Sequence, residues 1–309
     1  MLDFEKHIDL TSHPGSTRWL DLFVEDPVLG ITMRPNIRLS RESLGFSFAT
    51  GSCGLRGPDN KNASTVIAGT SFALGVGVDE GFNWWECIGE KRHDLFNIGF
   101  PSDASAALIR LKRLYSGNYE HLVFIYHPNL WALAKSFSAF RESGVGVMKA
   151  NGWVGSSGRS VLTSIREKVR NSVKKRKNIL VERVMEDCVY RFNSRYVMIN
   201  NDFLVSGVSR ELELFSYMFS MFKRVTVIRV PVKEQVFFTN CGSVSDKKIF
   251  QKLCDQYEGL WYNFNKALSP YSVVDLTREF VIQHFLPLDT HWSRHGNVHF
   301  SRLFLECTS

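Results

Sequence analysis

From residue 64 onward, short apolar runs alternate with longer segments in which apolar side chains recur every three or four positions. The runs are typical of buried strands, and the longer segments predict amphipathic helices. We predict strands at 65–68, 95–99, 121–126, 225–230 and 272–276. We predict helices that begin near 84 and 103, and helices at 209–223, 247–260 and 296–306. Strands that alternate with helices pair in parallel through crossover connections. This pattern predicts an α/β fold, a three-layer α/β/α sandwich around a mostly parallel sheet.

Residues 1–63 lack this alternation. They are rich in turn-forming residues and contain short strand-like pieces, such as 46–49. We expect them to form an N-terminal arm that packs on the main domain, residues 64–309. We also expect a salt bridge from Arg56 to pin the arm to that domain.

A second departure is the segment 136–195, which we interpret as an insertion into the domain. It contains a glycine-rich stretch, 144–158, followed by apolar residues at helical spacing. The other face of this predicted helix is basic, with Arg166, Lys168, Arg170, Lys174, Lys175, Arg176 and Lys177. One interpretation is docking on an anionic lipid headgroup, a polyanionic glycan or nucleic acid. The alternative is a solvated amphipathic helix, and the sequence leaves both open.

Length, composition and net charge limit the classes of protein to which the chain can belong. The chain has 309 residues, of which 44% are hydrophobic, and this is enough for one large core. The net charge of +7 allows an anionic partner, but we expect no specific nucleic acid. Six scattered cysteines, without metal-ligand spacing, indicate reduced thiols and no metal site. The N-terminus does not have the pattern of a signal peptide, and no apolar run is long enough to span a bilayer, so we expect a cytoplasmic protein.

The candidate chemistry begins at Ser71, where the first predicted strand gives way to a helix after Gly69-Thr70. A serine in this position can lie exposed at the carboxyl end of a buried strand. The first N–H groups of the helix favour negative charge there. We therefore interpret Ser71 as a candidate nucleophile. The alternative is a plain strand-to-helix turn with Ser71 near the N-cap.

A second candidate stretch lies near the C-terminus, where Asp289 and His291 are two positions apart. Histidine is the usual general base at neutral pH, and a carboxylate beside it orients the ring and stabilises the imidazolium. If both side chains face one cavity with the Ser71 hydroxyl, the three residues supply a nucleophile, its base and the group that orients the base, which is an acyl-transfer site. The backbone N–H groups of Ser71 and Gly99 and the side-chain amide of Asn129 are candidate oxyanion donors. All three follow predicted strands, whose carboxyl ends share one edge of the sheet.

These stretches, taken in order, resemble the SGNH (GDSL-like) hydrolase superfamily. The resemblance is carried by Gly69-Thr70-Ser71, Asn97-Ile98-Gly99, Asn129, and Asp289-Thr290-His291-Trp292 with Gly296. It covers roughly residues 20–135 and 205–305, and its last block is similar to SGNH-type bacterial carbohydrate esterases and O-acetyltransferases. The resemblance implies a flavodoxin-like sheet, with Ser71 as nucleophile, His291 as base and Asp289 as its partner. Gly99 and Asn129 would then complete the oxyanion hole.

Two features depart from that family pattern. Thr70 stands in place of the usual aspartate, and Asn129 lacks the glycine and aspartate that normally flank it. The main hypothesis is an esterase that forms an acyl-Ser71 intermediate on a carbohydrate or surface-polymer precursor, without a cofactor. The alternatives are an O-acetyltransferase that takes its acyl group from a donor such as acetyl-CoA, and an inactive binding protein of the same fold. A further alternative is a binder of anionic polymers or membranes through residues 166–177. Beside the predicted base, Trp292 is expected to pack in the core or to form a sugar platform.

Overall fold

The structure is a computed structural model. It describes most of the predicted main domain on both sides of the insertion at 136–195. The described residues are 22–26, 29–39, 46–57, 59–89, 94–100, 104–128, 130–131, 146–149, 152–155, 208–233, 235–236, 247–286 and 291–308. Asn129, Asp289 and the basic residues predicted between 166 and 177 lie outside these ranges. What was predicted for them stays a prediction.

Strands and helices alternate along the described chain from residue 65 onward. The strands are β1 (Phe23–Asp26), β2 (Gly30–Met33), β3 (Arg38–Leu39), β4 (Phe48–Ala49), β5 (Thr65–Gly69), β6 (Leu95–Asn97), β7 (His121–Tyr126), β8 (Gly146–Lys149), β9 (Gly152–Gly155), β10 (Arg224–Arg229) and β11 (Ser272–Asp275). The helices are α1 (Ser71–Leu74), α2 (Trp84–Ile88), α3 (Ala104–Leu114), α4 (Val208–Ser220), α5 (Lys247–Leu268) and α6 (Arg294–Thr308), with a 3-10 turn at Ile282–His284.

Five strands form one parallel sheet in the order β11-β10-β7-β5-β6. The prediction of an α/β fold with a mostly parallel sheet is therefore confirmed. The chain leaves β5 for the neighbouring edge strand β6 and then returns to β7 on the other side of β5. The strand order therefore reverses between β5 and β7. In such sheets, a crevice at the carboxyl ends of the two strands beside the reversal is the usual place for a site.

Alternate strand residues point to opposite faces of the sheet, and each face is covered by helices. On one side, Phe124 and its neighbours pack against α3, α4 and α5, and we call this side the aromatic face. The ring centroids of Phe124 lie 5.1 Å from Phe215 and 5.8 Å from Phe264. On the other side, Ile67 and Ile125 pack against α1, α2 and α6, and we call this side the site face. Burial of apolar side chains on both faces is the main contribution to the stability of the fold.

The described part of the N-terminal arm packs beside α1 and the residues that follow β6. Phe46 and Phe48 form a small apolar cluster with Leu74 of α1 and with Phe100. The buried guanidinium of Arg56 donates hydrogen bonds to the carbonyl oxygens of Gly75 and, at 2.8 Å, of Val78. Burial lowers the pKa of Arg56 to about 10. Arg56 therefore pins the arm through backbone carbonyls instead of through the expected salt bridge.

Most observed boundaries lie within two or three residues of the predicted ones, but α5 is longer. It runs to Leu268, where the pattern predicted an end at Leu260. The extension follows the buried spacing of Tyr257, Leu260, Phe264 and Leu268, which keeps one side of the helix on the aromatic face. The antiparallel pair β8 and β9 lies within the predicted insertion and was not predicted. A search of the described helices found none that is long and apolar enough to cross a membrane.

Candidate active site

Ser71 lies just beyond the carboxyl end of β5, which is paired with β7. The strand ends at Gly69, whose backbone has a φ of +149°. A Cβ atom at Gly69 would lie 2.7 Å from the carbonyl oxygen of Ile125 in β7, so only glycine allows the chain to turn this closely beside that strand. Ser71 is then the first residue of α1 and is 5% exposed. The predicted strand-to-helix placement of Ser71 is confirmed, but the residue is buried and not exposed as expected.

His291 is held on a hairpin that precedes α6. Residues Phe285 and Trp292 form an antiparallel bridge, and the N–H of Leu286 donates to the carbonyl oxygen of His291 at 2.8 Å. The buried ammonium group of Lys233, just beyond the carboxyl end of β10, donates to the carbonyl oxygen of Leu286 at 2.5 Å. His291 is therefore bonded through its carbonyl oxygen to Leu286, which is itself held by Lys233 beyond the end of β10.

The hairpin continues into α6 through a tight contact at Gly296. A Cβ atom on Gly296 would lie 2.0 Å from the carbonyl oxygen of His284, so the first turn of α6 approaches the 3-10 turn only because this residue is glycine. The hydroxyl of Ser293 accepts from the N–H of Gly296 at 3.3 Å and donates to the carbonyl oxygen of Gln283 at 2.9 Å. The start of α6 is thus capped and also joined to the hairpin.

These two elements bring Ser71 and His291 together. The Oγ atom of Ser71 lies 2.8 Å from Nε2 of His291, although the two residues are 220 positions apart in the chain. This is the distance of an O–H···N hydrogen bond between a nucleophile and its general base. With the proton of the neutral ring on Nδ1, Nε2 can accept the Ser71 proton as the hydroxyl attacks an electrophile.

Phe72, the residue after Ser71, packs against the ring of His291. Its ring centroid is 3.9 Å from that of His127, 5.2 Å from His291 and 5.1 Å from Trp292. Burial holds the pKa of His127 well below its usual range, and the nearby charge of His291 acts in the same direction. His127 is therefore neutral at pH 7. It packs on Phe72 near His291 and does not serve as a second base.

Trp292 does not form a sugar platform. It is 2% exposed, and its ring stacks on Phe280 with centroids 5.4 Å apart. The interpretation of Trp292 as packing is confirmed, and its alternative role is wrong because a ring inside the core presents no face to a ligand.

Of the three predicted oxyanion donors, the structure describes two, the N–H groups of Ser71 and Gly99. The N–H of Ser71 is the first in α1, a position for which the helix supplies no acceptor. The N–H of Gly99 donates to Oδ1 of Asn97 at 2.8 Å, and Nδ2 of Asn97 donates to the carbonyl oxygen of Ala73 at 2.8 Å. The Gly99 amide would therefore have to share or exchange this bond in order to bind an oxyanion. The third predicted donor, Asn129, lies outside the described residues.

Of the predicted catalytic residues, the structure brings Ser71 and His291 together, while Asp289 lies outside the described residues. The same is true of the basic residues Arg166, Lys168, Arg170, Lys174, Lys175, Arg176 and Lys177. Within the described part of the chain, no group of three or more histidine, cysteine or acidic side chains is arranged to hold a metal ion.

The residues that hold the site were not predicted from the sequence in this role. They include Asn97, Trp84 and Asn297, whose buried side chains hydrogen-bond to backbone groups near Ser71 and His291. Asn97 lies two positions before Gly99, in one of the stretches that carry the family resemblance. This proximity to a predicted site residue is the one signal in the sequence that points to Asn97.

Comparison of the chain with models of known protein families found no match, and neither did a search of curated proteins. The class of protein is therefore inferred from the fold and from the geometry of Ser71 and His291.

Proposed function

We propose that the protein is a serine acyl-ester hydrolase, with Ser71 as the nucleophile and His291 as its general base. The observation that carries this proposal is the 2.8 Å distance between Ser71 Oγ and His291 Nε2. Two polar side chains from opposite ends of the domain meet at the crevice of a parallel sheet. Each is fixed by its own set of backbone hydrogen bonds, an arrangement that favours a catalytic pair over a chance contact.

The reaction follows from these positions. The Ser71 oxygen attacks the ester carbonyl, and its proton passes to Nε2 of His291. The tetrahedral intermediate collapses, the alcohol leaves with the proton from His291, and an acyl-Ser71 ester remains. Water, deprotonated by His291, then attacks this ester and releases the acid. Asp289 is the proposed partner that holds Nδ1 of His291, and the N–H groups of Ser71 and Gly99 with Asn129 are the proposed donors to the oxyanion.

The fold supports the same class. Numbered along the chain, the five sheet strands have the order 2-1-3-4-5, and Ser71 follows the first of them. This is the strand order of flavodoxin-like doubly wound proteins, in which ligands bind at the reversal beside the first strand. With helices on both faces, we propose a three-layer sandwich of the SGNH type, in agreement with the resemblance of the sequence.

For the substrate we propose a small acyl ester, such as an acetyl group, on a carbohydrate or surface-polymer precursor. This part of the proposal rests on the resemblance of residues 289–296 to carbohydrate esterases and O-acetyltransferases. An acyl-Ser71 ester can be transferred to a sugar hydroxyl as well as to water, so the acceptor is a separate question.

The test uses the full chain with p-nitrophenyl acetate and a fluorophosphonate probe. We expect ester turnover and labelling of Ser71, identified by peptide mass spectrometry, and we expect the Ser71→Ala variant to lose both. The matched control is Ser220→Ala, which removes an exposed hydroxyl that bonds only within α4, and it should retain both. Turnover that survives in Ser71→Ala, or a folded protein that the probe does not label at Ser71, would overturn the proposal.

The acceptor is tested in the same assay by adding an oligosaccharide. Faster release of p-nitrophenol together with an acetylated sugar in the mass spectrum would assign the chain to transfer instead of hydrolysis.

A further inference from the structure

Asn297 connects the hairpin of His291 to the rest of the site face. Its side chain is 1% exposed and lies in the first turn of α6. The Nδ2 group donates to the carbonyl oxygens of Ser293, at 3.0 Å, and Trp292, at 3.3 Å. The Oδ1 atom accepts from the backbone N–H of Trp84 at 3.0 Å. Because two carbonyls face one end of the amide and an N–H faces the other, the orientation of the side chain is unambiguous.

Trp84 continues this connection to the nucleophile. Its indole ring is fully buried, and Nε1 donates to the carbonyl oxygens of Phe72, at 3.1 Å, and Ala73, at 3.2 Å. Both carbonyls belong to α1, the helix that begins with Ser71. A continuous series of buried hydrogen bonds therefore runs from the residue after His291, through Asn297 and Trp84, to the residue after Ser71.

The need for such a connection follows from the chain itself. Ser71 and His291 lie on elements separated by 220 positions, so covalent continuity does nothing to hold them in register. Apolar packing of α6 against α2 has no preferred direction, whereas a hydrogen bond requires its donor and acceptor to stay within a narrow range of distance and weakens steeply when its angle closes. Loss of the Asn297 side chain would also leave the buried backbone N–H of Trp84 without its acceptor, which is unfavourable.

We propose that Asn297 is a positioning residue that, through Trp84, sets the distance between the Ser71 hydroxyl and the His291 ring. The expected effect of Asn297 on the reaction rate rests on the proposed function. Its expected effect on the position of the His291 ring does not. Asn297 does not touch the substrate in this proposal, and it acts only by holding the two backbone segments that carry the reacting side chains.

The test is the Asn297→Asp variant, which keeps the size and the acceptor of the side chain but replaces both donors with an oxygen. We expect kcat for p-nitrophenyl acetate to fall about 10- to 100-fold with KM changed by less than about twofold, because misplacement of about 1 Å is enough for such a loss. The Hε1 NMR signal of His291, assigned by its absence from His291→Gln, should shift in the same variant.

The matched control is Ser301→Ala, which removes a buried hydrogen bond to Val298 within α6 and does not touch the hairpin. It should lower the melting temperature but leave kcat and the His291 signal unchanged. If Asn297→Asp does not fold, Trp84→Phe replaces it, since phenylalanine keeps a ring in the core and lacks the indole N–H. A folded Asn297→Asp or Trp84→Phe with unchanged kcat and an unchanged His291 signal would overturn the proposal.

The two proposals fail in different ways. If the wild-type chain shows no turnover that depends on Ser71, the proposed function is wrong. The NMR signal of His291 then still decides whether Asn297 positions the ring.

Discussion

The two faces of the sheet are built from the same kind of strands but are held by different interactions. On the aromatic face, α4 and α5 meet the sheet mainly through rings, and the ring centroid of Phe264 lies within 6 Å of those of Phe124, Tyr126 and Trp261. The buried hydroxyl of Tyr115 on this face donates to the carbonyl oxygen of Ala63, before the start of β5. On the site face, apolar packing is combined with buried side chains that fasten backbone carbonyls, such as Asn297 and Trp84.

This difference follows from what each face has to do. Apolar packing is non-directional, so the aromatic face contributes stability without specifying any single interatomic distance. Hydrogen bonds are directional and short-ranged, so the site face can hold two distant side chains at hydrogen-bonding distance. We therefore expect changes on the aromatic face to alter stability alone and changes on the site face to alter stability and rate together.

The largest expected effect is that of His291→Gln, which removes the base from the site face. We expect kcat/KM for p-nitrophenyl acetate to fall by about 10⁴-fold, because the Ser71 proton then has no strong acceptor. The melting temperature should change little, since the His291 side chain is only half-buried and the hairpin is held by its backbone. Steady-state kinetics and thermal melting measure both, and a variant with near wild-type activity would contradict the role of His291.

The second prediction compares one variant on each face of the sheet. Phe264→Ala on the aromatic face and Phe300→Ala on the site face remove the same buried ring, and each should cost about 3 to 5 kcal/mol of unfolding free energy. Phe300 lies 4.5 Å from Trp292 and 5.1 Å from Trp84, between ring centroids, so its loss also loosens the hairpin and α2. We expect kcat to fall about tenfold only in Phe300→Ala. Urea unfolding and kcat of the folded fraction check this, and equal kcat in both variants would remove the distinction between the faces.

A smaller effect is expected from two glycine-to-alanine changes in helices. The new Cβ in Gly296→Ala meets the His284 carbonyl oxygen at 2.0 Å, which should destabilise the protein by about 1 to 3 kcal/mol and lower kcat. In Gly259→Ala, on the exposed side of α5, nothing lies within 4 Å of the new Cβ. Alanine is the better helix former, so this variant should gain about 0.5 to 1 kcal/mol. Urea unfolding measures both, and effects of the same sign would contradict the close approach at Gly296.

The smallest effect concerns pH. His284, in the 3-10 turn below the hairpin, stacks on His299 with ring centroids 4.2 Å apart, and its Nδ1 accepts from the N–H of Val281. Burial lowers the pKa of His284 to about 4, and the charges of His299 and His295 act in the same direction.

In the unfolded chain, His284 takes up a proton near pH 6.5, while in the folded protein it stays neutral down to about pH 4. Stability is therefore lost as the pH falls from 6.5 to 4, and His284→Gln should lose less over that interval. The remaining loss includes that of buried His127, whose pKa is lowered by the same cause. Urea unfolding at pH 7 and pH 4.5 measures the difference, and identical losses in both proteins would contradict the assignment.

Much of the fold could be predicted from the pattern of the sequence because burial repeats with a local period. The run at 121–126 predicted a buried strand, and all six residues of β7 are buried. The same signal placed Ser71 at the start of a helix after β5. The end of α5 was also encoded, in Phe264 and Leu268, and was missed because the helical spacing was not followed far enough.

The sequence by itself determined the five strands of the parallel sheet and the helices between them, and which polar residues stand at the carboxyl ends of those strands. Only the tertiary structure decided that the strand order brings β5 and β7 side by side. It also decided that His291 reaches Ser71 and that Asn297 and Trp84 join the two. The reason is physical: periodicity records the side on which a residue is buried, whereas a hydrogen bond between segments 220 positions apart depends on how all the intervening elements pack.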